Sequence, residues 1–211
     1  DVKEGDFVSV AIDSLENGYG ETRLSRDRAK RLAAWINLEK ALEIIEARYL
    51  FDLAPEQIDV VIHPQSVVHS LVEFIDSSIL AQLGVPDMKL PILYSLSHPE
   101  RLEGSCPSLD LPGLGQLEFC AADRRRFPSI QMAYDVLRQG QNAGAVFNTA
   151  NEVAVEHFLA GKIDFKTIFT VVGHMLGQGD YRPLNSIGDV QDTIALTRIK
   201  TIEYIENEVM K

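Results

Sequence analysis

The sequence is poor in cysteine and has no long apolar run, and both shortages exclude classes of protein. Its 211 residues contain two cysteines, Cys106 and Cys120, which form neither a CxxC pair nor a zinc-finger pattern with histidine. Both are predicted to be free thiols, which favours a reducing compartment. No apolar stretch reaches the ~20 residues of a membrane-spanning helix, and no signal-peptide pattern opens the chain. We therefore expect a soluble, unsecreted protein with no membrane partner.

Basic residues are also scarce relative to acids. The chain has 20 Lys and Arg against 31 Asp and Glu, a net charge of -11. Nucleic-acid binding needs clustered Lys and Arg, and the one basic run, at 124–126, is short. A nucleic-acid partner is therefore not expected. The hydrophobic share of 45% and the charged share of 24% are those of an ordinary globular protein.

Apolar periodicity predicts an α+β fold: a small mixed or antiparallel sheet backed by helices, followed by a C-terminal four-helix bundle. Strands are predicted at 7–12, 58–63, 67–75 and 78–83, and helices at 26–51, 129–139, 149–160, 165–176 and 189–210. Asn148 is expected to cap the helix at 149–160. The chain then divides into an α+β domain (1–86), a Pro/Gly-rich connecting segment (87–126) and a helical domain (127–211).

Lys40 and Glu43 form the first group of polar side chains that could carry chemistry. Their spacing of three places an ammonium beside a carboxylate on one helix face. Such a pair could bind a phosphate and a metal ion together. The alternative is an ordinary solvated ion pair, which contributes little to stability.

A second group lies in the string HPQSVVHS at 63–70, which follows an apolar strand. Polar groups beside a core must find partners, so this string is either part of a site or a hydrogen-bonded turn of structural importance. A third string, NTANE at 148–152, is explained by helix capping. No GxGxxG, P-loop or GxSxG motif is present.

Four strings in this order resemble the 1-deoxy-D-xylulose 5-phosphate (DXP) reductoisomerase family. They are KALEIIEARYLF at 40–51, IHPQSVVHS at 62–70, AQLGVPDM at 81–88 and NTANEVAV at 148–155. The resemblance covers about residues 40–211. It implies the later part of the family's catalytic domain, within 1–86, then its connecting segment and its C-terminal helical domain.

The resemblance implies an NADPH-dependent and divalent-metal-dependent oxidoreductase and isomerase of non-mevalonate isoprenoid biosynthesis. Such an enzyme rearranges a small phosphorylated sugar, DXP, on Mg²⁺ or Mn²⁺ and reduces the resulting aldehyde to 2-C-methyl-D-erythritol 4-phosphate. It also implies a homodimer with residues 67–83 near the interface. The compartment would be the bacterial cytoplasm or the plastid stroma.

The resemblance also implies roles for single residues. Lys40 corresponds to a catalytic lysine that contacts substrate, and Glu43 to a catalytic, metal-binding glutamate. Ser66 and His69 correspond to catalytic positions that line or support the pocket, with Ser66 also binding substrate. The cofactor-binding positions, near the nicotinamide, are Pro86 and Met88.

The chain departs from the family pattern at several positions. The other metal ligands would be Asp13 and Glu16, because the string DSLE at 13–16 matches the family's Asp-Ser-Glu motif with one residue inserted. The family has an asparagine directly before the lysine; Glu39 stands there, and Asn37, two residues further back, is the candidate for substrate binding.

No counterpart of the family's dinucleotide-binding domain lies in these 211 residues, so this chain alone is expected to be incomplete or inactive. Two other interpretations follow. One is a non-catalytic binding or oligomerisation module that keeps the fold without a complete site. The other is an unrelated metal-dependent isomerase that needs no nicotinamide.

Overall fold

The computed structural model describes residues 7–13 and 40–210, and these form two compact units. The sheet unit contains the described residues 7–13 and 56–122. The helical unit contains 40–55 and 123–210. Each unit is described by itself.

The sheet unit is built on a five-stranded mixed sheet. Its strands are β1 Phe7–Asp13, β2 Ile58–His63, β3 Val68–Glu73, β4 Ile79–Leu83 and β5 Cys120–Ala121. They lie in the order β4-β3-β1-β2-β5. Strand β1 pairs in parallel with β2 and antiparallel with β3, while β4 pairs antiparallel with β3 and β5 antiparallel with β2. The carboxyl ends of β1 and β2 therefore meet at one edge, where the register pairs Asp13 with His63.

Two helices complete the sheet unit, α2 at Lys89–Ser97 and α3 at Leu111–Leu114. The first turn of α3 is capped by Asp110, whose side chain accepts a hydrogen bond from the Gly113 N–H at 3.1 Å. A 3₁₀ turn at Pro55–Gln57 leads into β2.

The described part of the helical unit contains five helices. They are α1 at 40–51, α4 Pro128–Gln139, α5 Ala143–Leu159, α6 Phe165–Gly177 and α7 Ile187–Tyr204, which continues as a π-helical turn at Ile205–Val209. Helix α5 packs against α4, α6 and α7. Apolar residues at helical spacing supply the core of the unit, and all are buried: Ala41, Ile44, Ile130, Ala133, Phe147, Ala150, Val153, Ile168, Val171 and Val172.

The predicted α+β class is confirmed, and both cysteines are free thiols as expected. The predicted strands and the helices other than α5 agree with the structure to within a few residues at most ends. The part of the predicted helix 26–51 before residue 40 lies outside the described residues. No helix in the described part of the chain is long and apolar enough to cross a bilayer.

The predicted cap at Asn148 is wrong, because α5 begins at Ala143 and Asn148 lies inside it. Gly140 and Gln141, with φ of 65° and 53°, turn the chain directly after α4. The next helix can therefore begin early and bury Phe147 in the core. Core packing outweighs the local capping preference of asparagine.

The predicted connecting segment at 87–126 contains α2, α3 and β5. Strand β5 pairs with β2, so this segment supplies one edge of the sheet. The division of the chain at 86 and 126 stays a prediction.

Candidate functional site

The predicted Lys40–Glu43 pair forms at the start of the described part of α1. The Lys40 ammonium lies 2.9 Å from both carboxylate oxygens of Glu43. The two side chains are 13% and 33% exposed, so the pair is better shielded from water than a surface ion pair. An ammonium has three N–H donors, so Lys40 keeps at least one for an anionic ligand. The carboxylate supplies the type of oxygen that Mg²⁺ prefers.

The turn after β2 places Ser66 in an unusual backbone conformation. The Ser66 N–H donates to the His63 carbonyl at 3.1 Å, and Ser66 has a φ of 54°. For a residue other than glycine this left-handed conformation costs about 1–3 kcal/mol and persists only where the surroundings impose it. The turn thereby places Ser66 just beyond the edge where the parallel strands β1 and β2 end.

Two side chains hold this turn against the segment before β5. His63 is 1% exposed, its Nδ1 lies 2.8 Å from the Glu118 carbonyl, and its ring stacks on Phe119 at 4.7 Å between centroids. The Gln65 Oε1 accepts a hydrogen bond from the Glu118 N–H at 3.2 Å. Both backbone groups of Glu118 are therefore bound by the turn.

His69 holds the second half of the same motif. Its Nε2 lies 3.2 Å from the Gly84 carbonyl, which can only accept, so Nε2 donates the hydrogen. The Gly84 N–H in turn donates to the Val67 carbonyl at 2.9 Å. These hydrogen bonds fix the start of the segment 84–88, which carries the predicted cofactor-binding residues.

Pro86 and Met88 are exposed, Met88 to 71%. Asp87 between them accepts a hydrogen bond from the Lys89 N–H at 2.9 Å. That hydrogen bond, with the Lys89 ammonium 3.6 Å away, holds the pKa of the Asp87 carboxyl below its usual value. The segment thus offers apolar surface with a fixed negative charge between its two exposed residues.

The predicted metal ligands are only partly described. Asp13 ends β1 at the edge that also carries His63, and its side chain is not described. Glu16 and the predicted substrate-binding residue Asn37 lie outside the described residues. Within 7–13 and 40–210, no group of three or more His, Cys, Asp or Glu side chains could hold a metal ion. Glu43 suits a divalent cation by its chemistry, but the described ligand set is incomplete.

Sequence reasoning missed the contacts of His63 and Gln65 with Glu118, since no local signal links residues 53 or 55 positions apart. It also missed a cavity of about 510 Å³ beside α2, where the Arg101 guanidinium lies 3.7 Å above the Tyr94 ring. A cavity of about 170 Å³ in the helical unit is lined by residues that include Asn142 and Arg182. Of the predicted site residues whose side chains the structure describes, none lines either cavity.

These features define an α+β protein that presents polar side chains from the end of a parallel strand pair and from a helix face. Residues 83–200 match the family model described as the DXP reductoisomerase C-terminal domain. The chain therefore belongs to the DXP reductoisomerase family.

Curated relatives and solved structures agree with this assignment. DXP reductoisomerase from Nitrosomonas eutropha is 50% identical over 153 residues, covering 72% of this chain and 37% of the relative. The enzyme of the same name from Geobacter metallireducens is 48% identical over 206 residues. That alignment covers 95% of this chain and 54% of the relative. The chain thus spans about half or less of the length of these relatives.

Two solved structures share the fold of this chain. The Zymomonas mobilis enzyme in complex with NADPH has a TM-score of 0.83 and 34% identity, covering 95% of this chain and 55% of that one. A DXP reductoisomerase with fosmidomycin and magnesium has a TM-score of 0.79 and 35% identity. The match covers 96% of this chain and 54% of that one.

Proposed function

We propose that this chain is the later part of the catalytic domain, with the C-terminal domain, of an enzyme that converts DXP to 2-C-methyl-D-erythritol 4-phosphate. The reaction would rearrange the carbon skeleton to an aldehyde, which a hydride from NADPH and a proton reduce, leaving NADP⁺. It belongs to non-mevalonate isoprenoid biosynthesis, in a bacterial cytoplasm or plastid stroma. The relatives' names and the complexes with NADPH and with fosmidomycin and magnesium support this proposal.

The observation that carries the proposal is the shielded Lys40–Glu43 pair. In our proposal the free N–H of Lys40 binds an anionic oxygen of the substrate, and Glu43 is one ligand of Mg²⁺ or Mn²⁺. Asp13 and Glu16 are the proposed further ligands, and Asn37 a further substrate contact. A divalent cation supplies charge stabilisation for the vicinal oxygens of the substrate when it is bound.

The sheet unit contributes through the turn and the segment described above. We assign substrate binding to the Ser66 hydroxyl. His69, which bonds the Gly84 carbonyl, positions the segment 84–88. The exposed Pro86 and Met88 then offer apolar surface to the nicotinamide.

Calorimetric titration of fosmidomycin with Mg²⁺ present tests this proposal directly, and a second series uses Mn²⁺. These 211 residues lack a dinucleotide-binding motif, so binding rather than turnover is measured. We expect the chain to bind the inhibitor in a metal-dependent way, and Glu43→Gln to weaken binding about ten-fold or more.

Glu46→Gln is the matched control, because it removes the same charge from an exposed position on the same helix. It should leave the affinity within about two-fold. Equal affinities for Glu43→Gln and the unmodified chain, or no binding by the unmodified chain, would contradict the proposal. The second outcome would favour a non-catalytic module, consistent with the extra charge of Glu39 where the family has asparagine.

We also propose a homodimer that forms through the β4 edge of the sheet. Ile79 and Leu80 on this edge strand are 57% and 65% exposed, and the adjoining Ile75 is 85% exposed. An exposed apolar edge strand is a template for pairing with another chain.

A further inference from the structure

We propose that His63 is a positioning residue, which clamps the turn at 63–66 to the Glu118 backbone and so places the Ser66 hydroxyl for substrate. The inference rests on the proposed function, because Ser66 is a substrate contact only there. The clamp itself is a property of the sheet unit. The family resemblance assigns no role to His63, and the clamp gives this histidine one.

The hydrogen bond to Glu118 identifies a ring nitrogen of His63 that carries a hydrogen. A carbonyl oxygen can only accept, so Nδ1, 2.8 Å away, is the donor. Nε2 is buried and has no hydrogen-bond partner in the described part of the chain. A phenylalanine would fill this place beside Phe119 without burying that nitrogen. The Nδ1–H bond is therefore what histidine supplies here and phenylalanine could not.

The position of the clamp explains why side chains are needed. Strands β2 and β5 pair Val61 with Ala121 and Ile62 with Cys120, so a continued ladder would bring Pro64 opposite Glu118. Proline has no N–H and cannot continue the ladder. The side chains on either side of it, His63 and Gln65, bind the C=O and the N–H of Glu118 instead.

The clamp has a direct consequence for Ser66. The Ser66 N–H closes the turn on the His63 carbonyl at 3.1 Å, and its φ of 54° needs an imposing environment. With the side chains on both sides of Pro64, those of His63 and Gln65, tied to Glu118, the turn cannot relax to an extended backbone. Loss of the clamp would release Ser66 and move its hydroxyl.

Two substitutions separate the hydrogen bond from the ring. His63→Phe keeps a ring against Phe119 and removes the donor, whereas the amide nitrogen of His63→Asn stands close to the place of Nδ1 and keeps the donor. In fosmidomycin titrations with Mg²⁺ we expect His63→Phe to weaken binding about ten-fold, the equivalent of about 1.4 kcal/mol. His63→Asn should restore most of that loss.

A double-mutant cycle with Ser66→Ala shows whether His63 acts through Ser66. If it does, His63→Phe causes little further loss in the Ser66→Ala background. Additive losses, or a His63→Phe variant with unchanged affinity, would overturn the inference. Gln65→Leu, with Gln65→Glu as the variant that keeps an acceptor, tests the other half of the clamp should His63→Phe fail to fold.

Imidazole ¹⁵N NMR of the free chain separates this inference from the proposed function. The clamp requires a hydrogen on Nδ1 of His63, and a Ser66 amide signal that shifts in His63→Phe and returns in His63→Asn. These signatures, in a chain that does not bind fosmidomycin, would uphold the clamp and reject the proposed function. A ring that carries its hydrogen on Nε2 alone, or an unmoved Ser66 signal, would overturn the clamp even if the inhibitor binds.

Discussion

Asp189 shows how single side chains set the boundaries of the helical unit. Its Oδ2 accepts hydrogen bonds from the N–H groups of Asn185 and Ser186, both at 2.8 Å, while the Ser186 hydroxyl accepts from the Asp189 N–H at 3.2 Å. This capping box satisfies backbone donors that the first turn of α7 leaves free. The hydrogen bonds, first of all the one from Asn185, hold the pKa of the Asp189 carboxyl below its usual value of 3.8.

The lowered pKa makes this cap pH-dependent. A carboxyl whose pKa is lower in the folded than in the unfolded chain stabilises the fold fully above pH 3.8, and this stabilisation is lost as the pH falls through the folded-state pKa. We expect Asp189→Ala to melt at a lower temperature than the unmodified chain at pH 7, with the difference narrowing below pH 3.8. Thermal melts from pH 7 downward measure it.

The control is Asp192→Ala, which removes a carboxylate from an exposed position of the same helix. Asp192 lies beyond the first turn and cannot cap the helix. Its substitution therefore measures the effect of removing one negative charge without removing the cap. Melting curves for Asp189→Ala that stay parallel to those of the unmodified chain at every pH would contradict the prediction.

At the scale of elements, the sequence predicts the strands and helices that have a regular apolar period. It does not predict the elements and boundaries that depend on tertiary contacts. Strands β2 to β4 and the helices α4 and α6 follow from apolar periodicity, which the core preserves. Strand β5 has only two residues, Cys120–Ala121, too few to show a period. The predicted start of α5 is wrong because the turn at 140–141 and the burial of Phe147 outweigh the capping tendency of Asn148.

In the candidate site, too, local spacing predicts some contacts and only the tertiary structure reveals others. The Lys40–Glu43 pair was predictable because a spacing of three places both side chains on one helix face. The hydrogen bonds of His69 with Gly84 and of His63 with Glu118 span 15 and 55 positions, so they depend on strand pairing. Local spacing cannot show such contacts, although the string at 63–70 marked the region.

Gly140 follows the last residue of α4 in a backbone conformation that residues with a side chain rarely adopt. This conformation leads to a prediction about the stability of the turn between α4 and α5. Gly140 has φ 65° and ψ -148°, and its N–H donates to the Val136 carbonyl at 2.9 Å. We expect Gly140→Ala to lower the free energy of unfolding by about 1–3 kcal/mol, since the strain must be borne by the turn into α5. Urea unfolding followed by circular dichroism measures the change.

Gly177→Ala is the matched comparison, because Gly177 is helical and an added Cβ would meet open space. Alanine there should raise the free energy of unfolding, by up to about 1 kcal/mol. The same effect from both substitutions, or no loss in Gly140→Ala, would show that the backbone conformation at 140 is not what limits stability.

At the scale of the whole molecule, the exposed edge of the sheet bears on assembly. Among the described residues, strand β4 is hydrogen-bonded only to β3, and no described strand pairs with its other side, which carries apolar side chains. Natural sheets usually protect such an edge with charge or proline, and Ile79–Leu83 contains neither. The chain's net charge of -11 opposes non-specific association, so a pairing at this edge must be specific.

We therefore expect the chain to elute at twice its monomer mass in size-exclusion chromatography with light scattering at micromolar concentration. Leu80→Lys should shift it to the monomer mass, because a lysine in the edge strand places charge where a second strand would pack. Leu159→Lys, at a leucine 58% exposed in the helical unit, is the control and should stay dimeric. A monomer mass for the unmodified chain would contradict the proposed homodimer. A Leu80→Lys variant that stays dimeric would show that the interface does not involve β4.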